Sequence, residues 1–226
     1  MPSALLEEVP RVWLLAGFGL SLALNLLLLL LLAGRRRRPA APAPAGLAEQ
    51  RLAAEHAVAA ALAATSSWEE AAPGVLRALC DNLGWDRAEF WEVGPSGERI
   101  TLRASWPAPG AAEPRAVPGK GVCAPGEGLP GRVWASGRPL WVEDVRRDST
   151  LPPDATVRAA FGFPVRLDEE ILGVVICYDR SIRQSREDLL GMAGAVGSQL
   201  GQYIRRTRAE QELRAGERFA AAVIDG

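Results

Sequence analysis

The sequence predicts an α+β protein: an antiparallel sheet bracketed by helices, with one membrane-spanning helix ahead of it and one long helix behind. Three observations carry this. The uncharged run VWLLAGFGLSLALNLLLLLLLA occupies 12–33. Four short strand-like segments, RAEFWEV, ERITLRASW, AFGFPVR and ILGVVICY, are separated by Pro- and Gly-containing turns. Helical patterns with recognisable ends lie before Gly84 and after Ser185. The 226 residues allow one globular domain plus extensions, and a net charge of −1 lacks the basic excess of a nucleic-acid binder.

The apolar run is long enough to cross a bilayer core of about 30 Å. It is too long, and too apolar on every side, for a buried core helix. A cleavable signal peptide carries its positive charge before the apolar run. Here Glu7 and Glu8 precede it and Arg35–Arg38 follow. That order fits an uncleaved anchor with its arginine side inside. The expected topology is a short outer N-terminus (1–11), one span (12–33) and a cytoplasmic remainder, placing the chain in the inner membrane. Within the span, Gly17 and Ser21, and Gly19 and Ala23, are small residues four apart, and Asn25 is a lone polar group. Such residues favour close pairing of two membrane helices.

Residues 34–46 form a basic and Pro/Ala-rich linker, stiff and extended. Strong helix formers then predict a connecting helix over 47–64, with His56 solvated on it. Ser66 or Ser67, followed by Glu69 and Glu70, reads as a capping box for a second helix. Pro73 falls near its first turns, Val75, Leu76, Leu79 and Cys80 give an apolar face, and Gly84 suits a left-handed stop.

Arg87–Val93 and Glu98–Trp106 read as an antiparallel hairpin about the turn Pro95–Gly97. In the second strand Ile100, Leu102, Ala104 and Trp106 alternate with polar residues, which predicts one buried face. Residues 107–121 are loop by composition. Leu140–Val142 is a short strand and 146–159 another loop. Ala160–Arg166 is a strand whose Pro164 predicts an edge or a bulge. Ile171–Tyr178 is apolar on both faces and should be central. From Ser185 to at least Arg214 a long helix is expected, with Leu189, Ala193, Val196, Leu200 and Tyr203 spaced as a coiled-coil seam.

The stretch PGEGLPGRVWASGRPLWVEDV, from Pro125 to Val145, contains the spacing Gly126-x-Gly128-x-x-Gly131. A dinucleotide loop needs a strand leading in and a full helix leading out. Neither is present here, and no Gly-Lys-Ser/Thr phosphate loop occurs. The residues instead predict a short helix over 129–136, with Pro130 in its first turn and Gly137 as its stop. Gly131 would let that helix approach neighbouring backbone, and Val133 and Trp134 would face the core.

That stretch resembles the middle of GAF domains found in bacterial membrane-associated sensors. EEAAPGVLRALCDNLGWDRAEFWEV resembles the first GAF helix and strand, and GFPVRLDEEILGVVICY the last strand pair. EDLLGMAGAVGSQLGQYIRRTRAEQELRAGERF resembles an exit helix joining a GAF domain to a PAS domain. The resemblance spans 65–206. It implies a five- or six-stranded antiparallel sheet, helices on one face, and loops on the other closing over a ligand cavity. It also implies a coiled-coil exit helix over 207–226 that begins a PAS-type segment.

Family members differ in ligand. No cysteine precedes a histidine, and the single histidine lies outside the domain, so attached bilin and histidine-ligated haem do not fit. The cyclic-nucleotide signature is not found. With one histidine and no CxxC pair, no metal site is expected, and no cofactor. Trp91, Trp106, Trp134, Trp141 and Phe163, with Phe161, would line an apolar pocket or else are plain core aromatics. GKGVCAPGEG resembles a segment of GAF-type reductases of free methionine sulfoxide. Those enzymes carry their nucleophilic cysteine in the loop that reads RRDSTLPPDATVRAA here, which has none. Cys123 alone matches a resolving position, as a redox-sensitive thiol or an ordinary loop cysteine. No catalytic residue and no output enzyme is legible. The expectation is a membrane-anchored cytoplasmic sensory module that binds a small molecule or partner and relays through the helices of a homodimer to a downstream domain. The competing class is a dimerisation scaffold with an empty pocket.

Overall fold

The computed structural model of the chain describes residues 46–108, 121–151 and 156–224. The expected span over 12–33, its linker and most of the 107–121 loop lie outside the described residues. Among the described residues, no helix is long and apolar enough to cross a membrane.

Helix α1 (Leu47–Ala63) leads into α2 (Trp68–Leu83). Ser67 caps α2, its hydroxyl accepting from the Glu70 amide at 3.2 Å, while Glu70 Oε2 reaches back to the Ser66 amide. Gly84 ends the helix at φ 72°, the left-handed conformation anticipated for it.

Strands β1 (Arg87–Val93) and β2 (Ile100–Pro107) form the predicted hairpin. Next come the two-residue β3 (Val122–Cys123), helix α3 (Gly128–Ser136), β4 (Leu140–Val142) and a 3₁₀ turn at Val145–Arg147. Strands β5 (Ala159–Leu167) and β6 (Glu170–Asp179) precede the long α4 (Glu187–Ile224). The six strands make one antiparallel sheet in the order β3-β2-β1-β6-β5-β4. β6 is central, as its two-faced apolarity requires, and Val174, Val175, Ile176 and Cys177 are fully buried.

The sheet divides the core. On one face α1, α2 and α4 pack over Phe90, Phe161, Phe163, Val175 and Cys177. On the other, α3 and the connecting loops cover Trp91, Ile100, Cys123, Val174 and Ile176.

Three expectations are decided by the sheet, and two of them change. The alternation in β2 does not bury one face. Ile100 and Leu102 belong to the loop-facing core, whereas Ala104 and Trp106 pack on the helix-facing one. The register shifts there, Phe90 pairing with Ala104 but Trp91 with Leu102. One extra residue, Arg103, reverses the facing of everything beyond it. Second, β5 lies between β4 and β6, and the edge or bulge expected at Pro164 is present. Pro164 is tolerated because β4 pairs only as far as Gly162, and a further register shift follows at Val165/Arg166.

Third, the seam Leu189–Ala193–Val196–Leu200–Tyr203 is buried within the same chain. It packs on the protein's own sheet and is not a coiled-coil surface. Gly197 and Gly201 make this possible: a Cβ on either would run into the carbonyl oxygens of Pro164 and Arg166. Beyond Thr207 the helix leaves the body, and Leu213 and Phe219 are 65% and 74% exposed.

Candidate functional site

Alternation along β1 sends Ala88 and Phe90 to the helix-facing core and Trp91, with Glu89 and Arg87, to the loop-facing side. Tyr178 of β6 stands directly opposite Arg87 in the ladder and packs against that loop-facing core. Cys123 of β3 lies on the same side. Charged and aromatic groups thus gather where α3 and the loops close over the sheet.

Glu89 is 0% exposed. Its Oε2 accepts a hydrogen bond from the Trp91 indole nitrogen at 3.0 Å. Its Oε1 pairs with Arg87 Nε at 3.3 Å as an ion pair without hydrogen-bond geometry, and the Tyr178 hydroxyl also bonds the carboxyl group. The Arg87 guanidinium sits 4.5 Å over the Tyr178 ring, a cation–π contact that fixes it in place. Burial raises the Glu89 carboxyl above the ordinary glutamate range; Arg87, Trp91 and Tyr178 oppose this without offsetting it. Burial likewise raises the Tyr178 hydroxyl, with the Glu89 carboxylate adding to it. A cavity of about 20 Å³, lined by Arg87, Tyr178, Thr156 and Val157 among others, opens beside this cluster. It has room for one water or one small polar group.

A larger cleft, about 470 Å³, lies at the outer edge of the sheet beside Trp141, Glu143 and Ile182. Its polar groups are already engaged. Asp148 accepts from Arg132 Nη1 at 2.6 Å and from the Thr150 hydroxyl, and Asp144 accepts two bonds from Arg158 at 3.2 and 3.1 Å. The Thr150 and Arg132 bonds hold Asp148 below the usual carboxylate range, and the Arg158 bonds do the same for Asp144. Glu143 Oε1 accepts the Ser185 amide. The carboxylates of this cleft are paired within the protein, and the candidate site is the β1–β6 cluster. No group of three or more His, Cys, Asp or Glu side chains that would hold a metal occurs among the described residues.

The aromatic set expected to line a pocket is divided by the sheet. Trp91 and the half-buried Trp134 are on the loop-facing side. Trp106, Trp141, Phe161 and Phe163 are on the helix-facing side. There Trp85, Trp141, Phe161 and Phe163 form a continuous series of ring contacts with centroids 5.1–6.1 Å apart. These are core contacts, and of the five candidates only Trp91 touches the polar cluster.

Cys123 is not a loop thiol. It is in β3, 5% exposed. Burial, then the negative charges of Glu127 and Glu89, push its thiol up to about 11. Cys80 and Cys177 lie in the opposite core. A protonated, buried sulfur is a poor nucleophile.

Arg87, Glu89 and Tyr178 escape sequence reasoning because polar residues alternating in a strand look solvent-facing. Their signal was position. They share the period-two face of Trp91 in RAEFWEV and of Val174 and Ile176 in ILGVVICY, so the polar groups are interleaved with a buried apolar face.

The comparisons agree with this architecture. A curated-protein search finds no match. Among solved structures, the chain is similar to the free methionine-R-sulfoxide reductase of Neisseria meningitidis in complex with its substrate. The TM-score is 0.62 at 19% identity, over 72% of this chain and 92% of that one. It is similar to the GAF domain of a phosphoenolpyruvate-protein phosphotransferase from Coxiella burnetii (TM-score 0.62, 18% identity, 74% and 99% covered). It is similar also to the A. aeolicus nlh2 GAF domain in an inactive state (TM-score 0.57, 18% identity, 71% and 98% covered). At these identities the likeness concerns the fold alone. The family model of the GAF domain matches residues 65–205, which is more than half the chain. With the six-stranded antiparallel sheet and its flanking helices, that match establishes that the chain belongs to the GAF domain family.

Proposed function

We propose that the chain is a membrane-anchored sensory module. The segment 12–33 spans the inner membrane, and the GAF domain lies on the cytoplasmic side. A small molecule binds on the loop-facing side of the sheet and biases the bracketing helices of a homodimer. The observation that supports ligand binding most directly is the cluster Arg87–Glu89–Trp91–Tyr178. A fully buried carboxyl group raised by burial despite its ion pair with Arg87 is costly to maintain in a purely structural core, and perturbed ionisable groups mark functional sites.

Support for a relay comes from the helices. α1 and α4 run parallel: Arg186, at the threshold of α4, donates to Gln50 near the start of α1, and Tyr203 meets Thr65 just past its end. A change at the sheet reaches α4 through Gly197 and Gly201, where the helix rests on β5. Between Ala209 and Phe219 the helix is exposed on all sides, a surface on which a downstream partner would act. A ligand acts in this scheme only through different affinity for two helix arrangements.

The second reading, a scaffold that binds nothing, draws support from the small size of the cavity beside Arg87. A reductase reading draws none from Cys123, whose thiol is buried and raised. The experiment is a thermal-shift screen of the intact chain in detergent micelles against nucleotides and metabolites. Under the sensory reading, at least one compound raises the melting temperature in proportion to the logarithm of its concentration, and Glu89→Ala abolishes the shift. Flat curves throughout favour the scaffold.

A further inference from the structure

We infer that the loop-facing cluster is a proton-operated switch. Arg87 pairs with Glu89 while that carboxylate is charged, and turns outward to Asp86 and Asp179 once it is neutral. The inference rests on reading the cluster as the sensory site and names what operates it.

The fold gives one guanidinium two sets of acceptors. Inward, Arg87 Nε lies 3.3 Å from Glu89 Oε1. Outward, Arg87 shares the wall of the cavity of about 20 Å³ with Asp86, Tyr178 and Asp179. Glu89 is sealed at 0% exposure, whereas 11% of the Arg87 side chain reaches solvent. The cavity holds about one water, which is too little for a metabolite. Its outer wall includes Arg180, a 53% exposed side chain that can give way to a turning neighbour.

Neutralising Glu89 drives the turn. A buried cation that loses its partner is strongly destabilised. The carboxyl itself stays satisfied. Its carbonyl oxygen keeps the Trp91 indole N–H, and its new O–H donates to the Tyr178 hydroxyl, which bonds it already. Arg87 has no such option. It moves to carboxylates, which accept several donors at once. There Asp86 accepts the Arg180 amide at 2.9 Å, and Asp179 accepts Arg183 Nε at 2.7 Å.

Other titratable groups do not replace Glu89 in this role. Among the described residues, it is faced by Arg87 on its own strand, by Tyr178 and Cys177 of β6, and by Cys123 of β3, with Glu127 beyond Cys123. Ser105, opposite it on β2, is uncharged. Burial raises Tyr178, Cys123 and Cys177, so all three stay uncharged near neutral pH. It also raises Glu89, against the pull of Arg87.

The outward position reaches the helices. Asp179 holds Arg183, which donates to the Leu83 and Gly84 carbonyls at the end of α2 and lies just ahead of α4. A second guanidinium at Asp179 competes with Arg183 and loosens that joint.

The test titrates the intact ¹⁵N-labelled chain in micelles from pH 4 to 8, with no added ligand. The readouts are the Trp91 indole and Arg87 Nε ¹⁵N–¹H resonances. Both should move with one shared midpoint above the ordinary glutamate value of 4.5, while far-ultraviolet circular dichroism shows the chain still folded. E89Q, a neutral isostere, should abolish the transition and hold Arg87 at its low-pH position. Y178F should raise the midpoint, because a bond to the charged carboxyl is lost. At pH 8, amide exchange in the first turns of α4 should be at least about threefold faster in E89Q than in wild type. The proposal is overturned if neither resonance titrates above pH 4.5, or if the transition persists in E89Q. It is equally overturned if Trp91 titrates while Arg87 stays in place, the mark of a buried carboxyl that takes up a proton and moves nothing. The thermal-shift screen fails or succeeds separately. A stabilising compound without the paired transition keeps the small-molecule site and removes the switch. Flat curves alongside the paired transition remove the small molecule and leave the proton as the signal.

Discussion

The Tyr203 hydroxyl lies 2.9 Å from the Thr65 hydroxyl oxygen, and it donates to the backbone carbonyls of Thr65 and Ser67 at 3.0 and 3.2 Å. One phenol on α4 thereby closes the turn between α1 and α2. Thr65 lies just past the end of α1, and the Ser67 carbonyl, at the N-cap of α2, also accepts the Ala71 amide at 3.1 Å. The incoming and outgoing helices of the domain meet at this point.

Tyr203→Phe keeps the ring and removes the bonds. It should destabilise the folded chain by about 1–2 kcal/mol, read as a lower denaturant midpoint at unchanged slope. A double-mutant cycle with Thr65→Ala should show non-additive losses, since the two side chains share one bond.

The glycines of α4 make opposite predictions according to the side they face. Gly197→Ala or Gly201→Ala drives a methyl into the carbonyls of β5 and should lower stability by about 2 kcal/mol or more. Gly194, with nothing within 4 Å of an added Cβ, should gain up to about 1 kcal/mol as alanine, because helix propensity alone then decides. Equal effects at 194 and 197 would contradict the packing of α4 on β5.

Arg183 joins three elements. It pairs with the buried Asp179 at 2.7 Å, donates to the α2-terminal carbonyls of Leu83 and Gly84, and stacks 4.6 Å over Trp85. Arg183→Met leaves Asp179 buried without its cation, so a loss of about 3–5 kcal/mol is expected in equilibrium unfolding.

The pH dependence of stability should carry a component from Glu89 with a definite sign. Its folded-state carboxyl is raised above the unfolded value near 4.5. The folded state therefore binds the proton more tightly. The stability gained is complete below the unfolded pKa and is lost as pH rises through the raised folded one. Asp148 runs the other way, its stabilisation lost as pH falls through its lowered pKa. Comparing unfolding midpoints from pH 4 to 8, Glu89→Gln should be more stable relative to wild type at pH 7 than at pH 4. A constant difference across that range would contradict the buried carboxyl.

Cys123, with its thiol at about 11, is thiolate to roughly one part in ten thousand at pH 7. Alkylation by iodoacetamide in the folded chain should run roughly a hundredfold or more slower than for a free cysteine. The chain should not turn over free methionine sulfoxide, and Cys123→Ser should leave that result unchanged. Rapid labelling or thiol-dependent turnover would reopen the reductase reading.

Much of this architecture is local, and the sequence alone determined it. Ser67 and Gly84 bound α2 because a side-chain oxygen and a left-handed glycine act over a single turn. ILGVVICY had to be central because no face of it tolerates water. The GAF segments named the fold. What the tertiary structure decided is facing. The one-residue shift opposite Phe90 and Trp91 moved Trp106 to the other core and separated it from Trp91. Close approach at Gly197 and Gly201 turned the apparent coiled-coil seam of α4 onto its own sheet. Glu89 became a candidate site residue only once β6 and β3 were laid beside β1 and the loops closed over them. A strand's alternation says which residues share a face; which side of the sheet that face meets depends on partners far away in the chain, and burial of a charge is a property of that assembly.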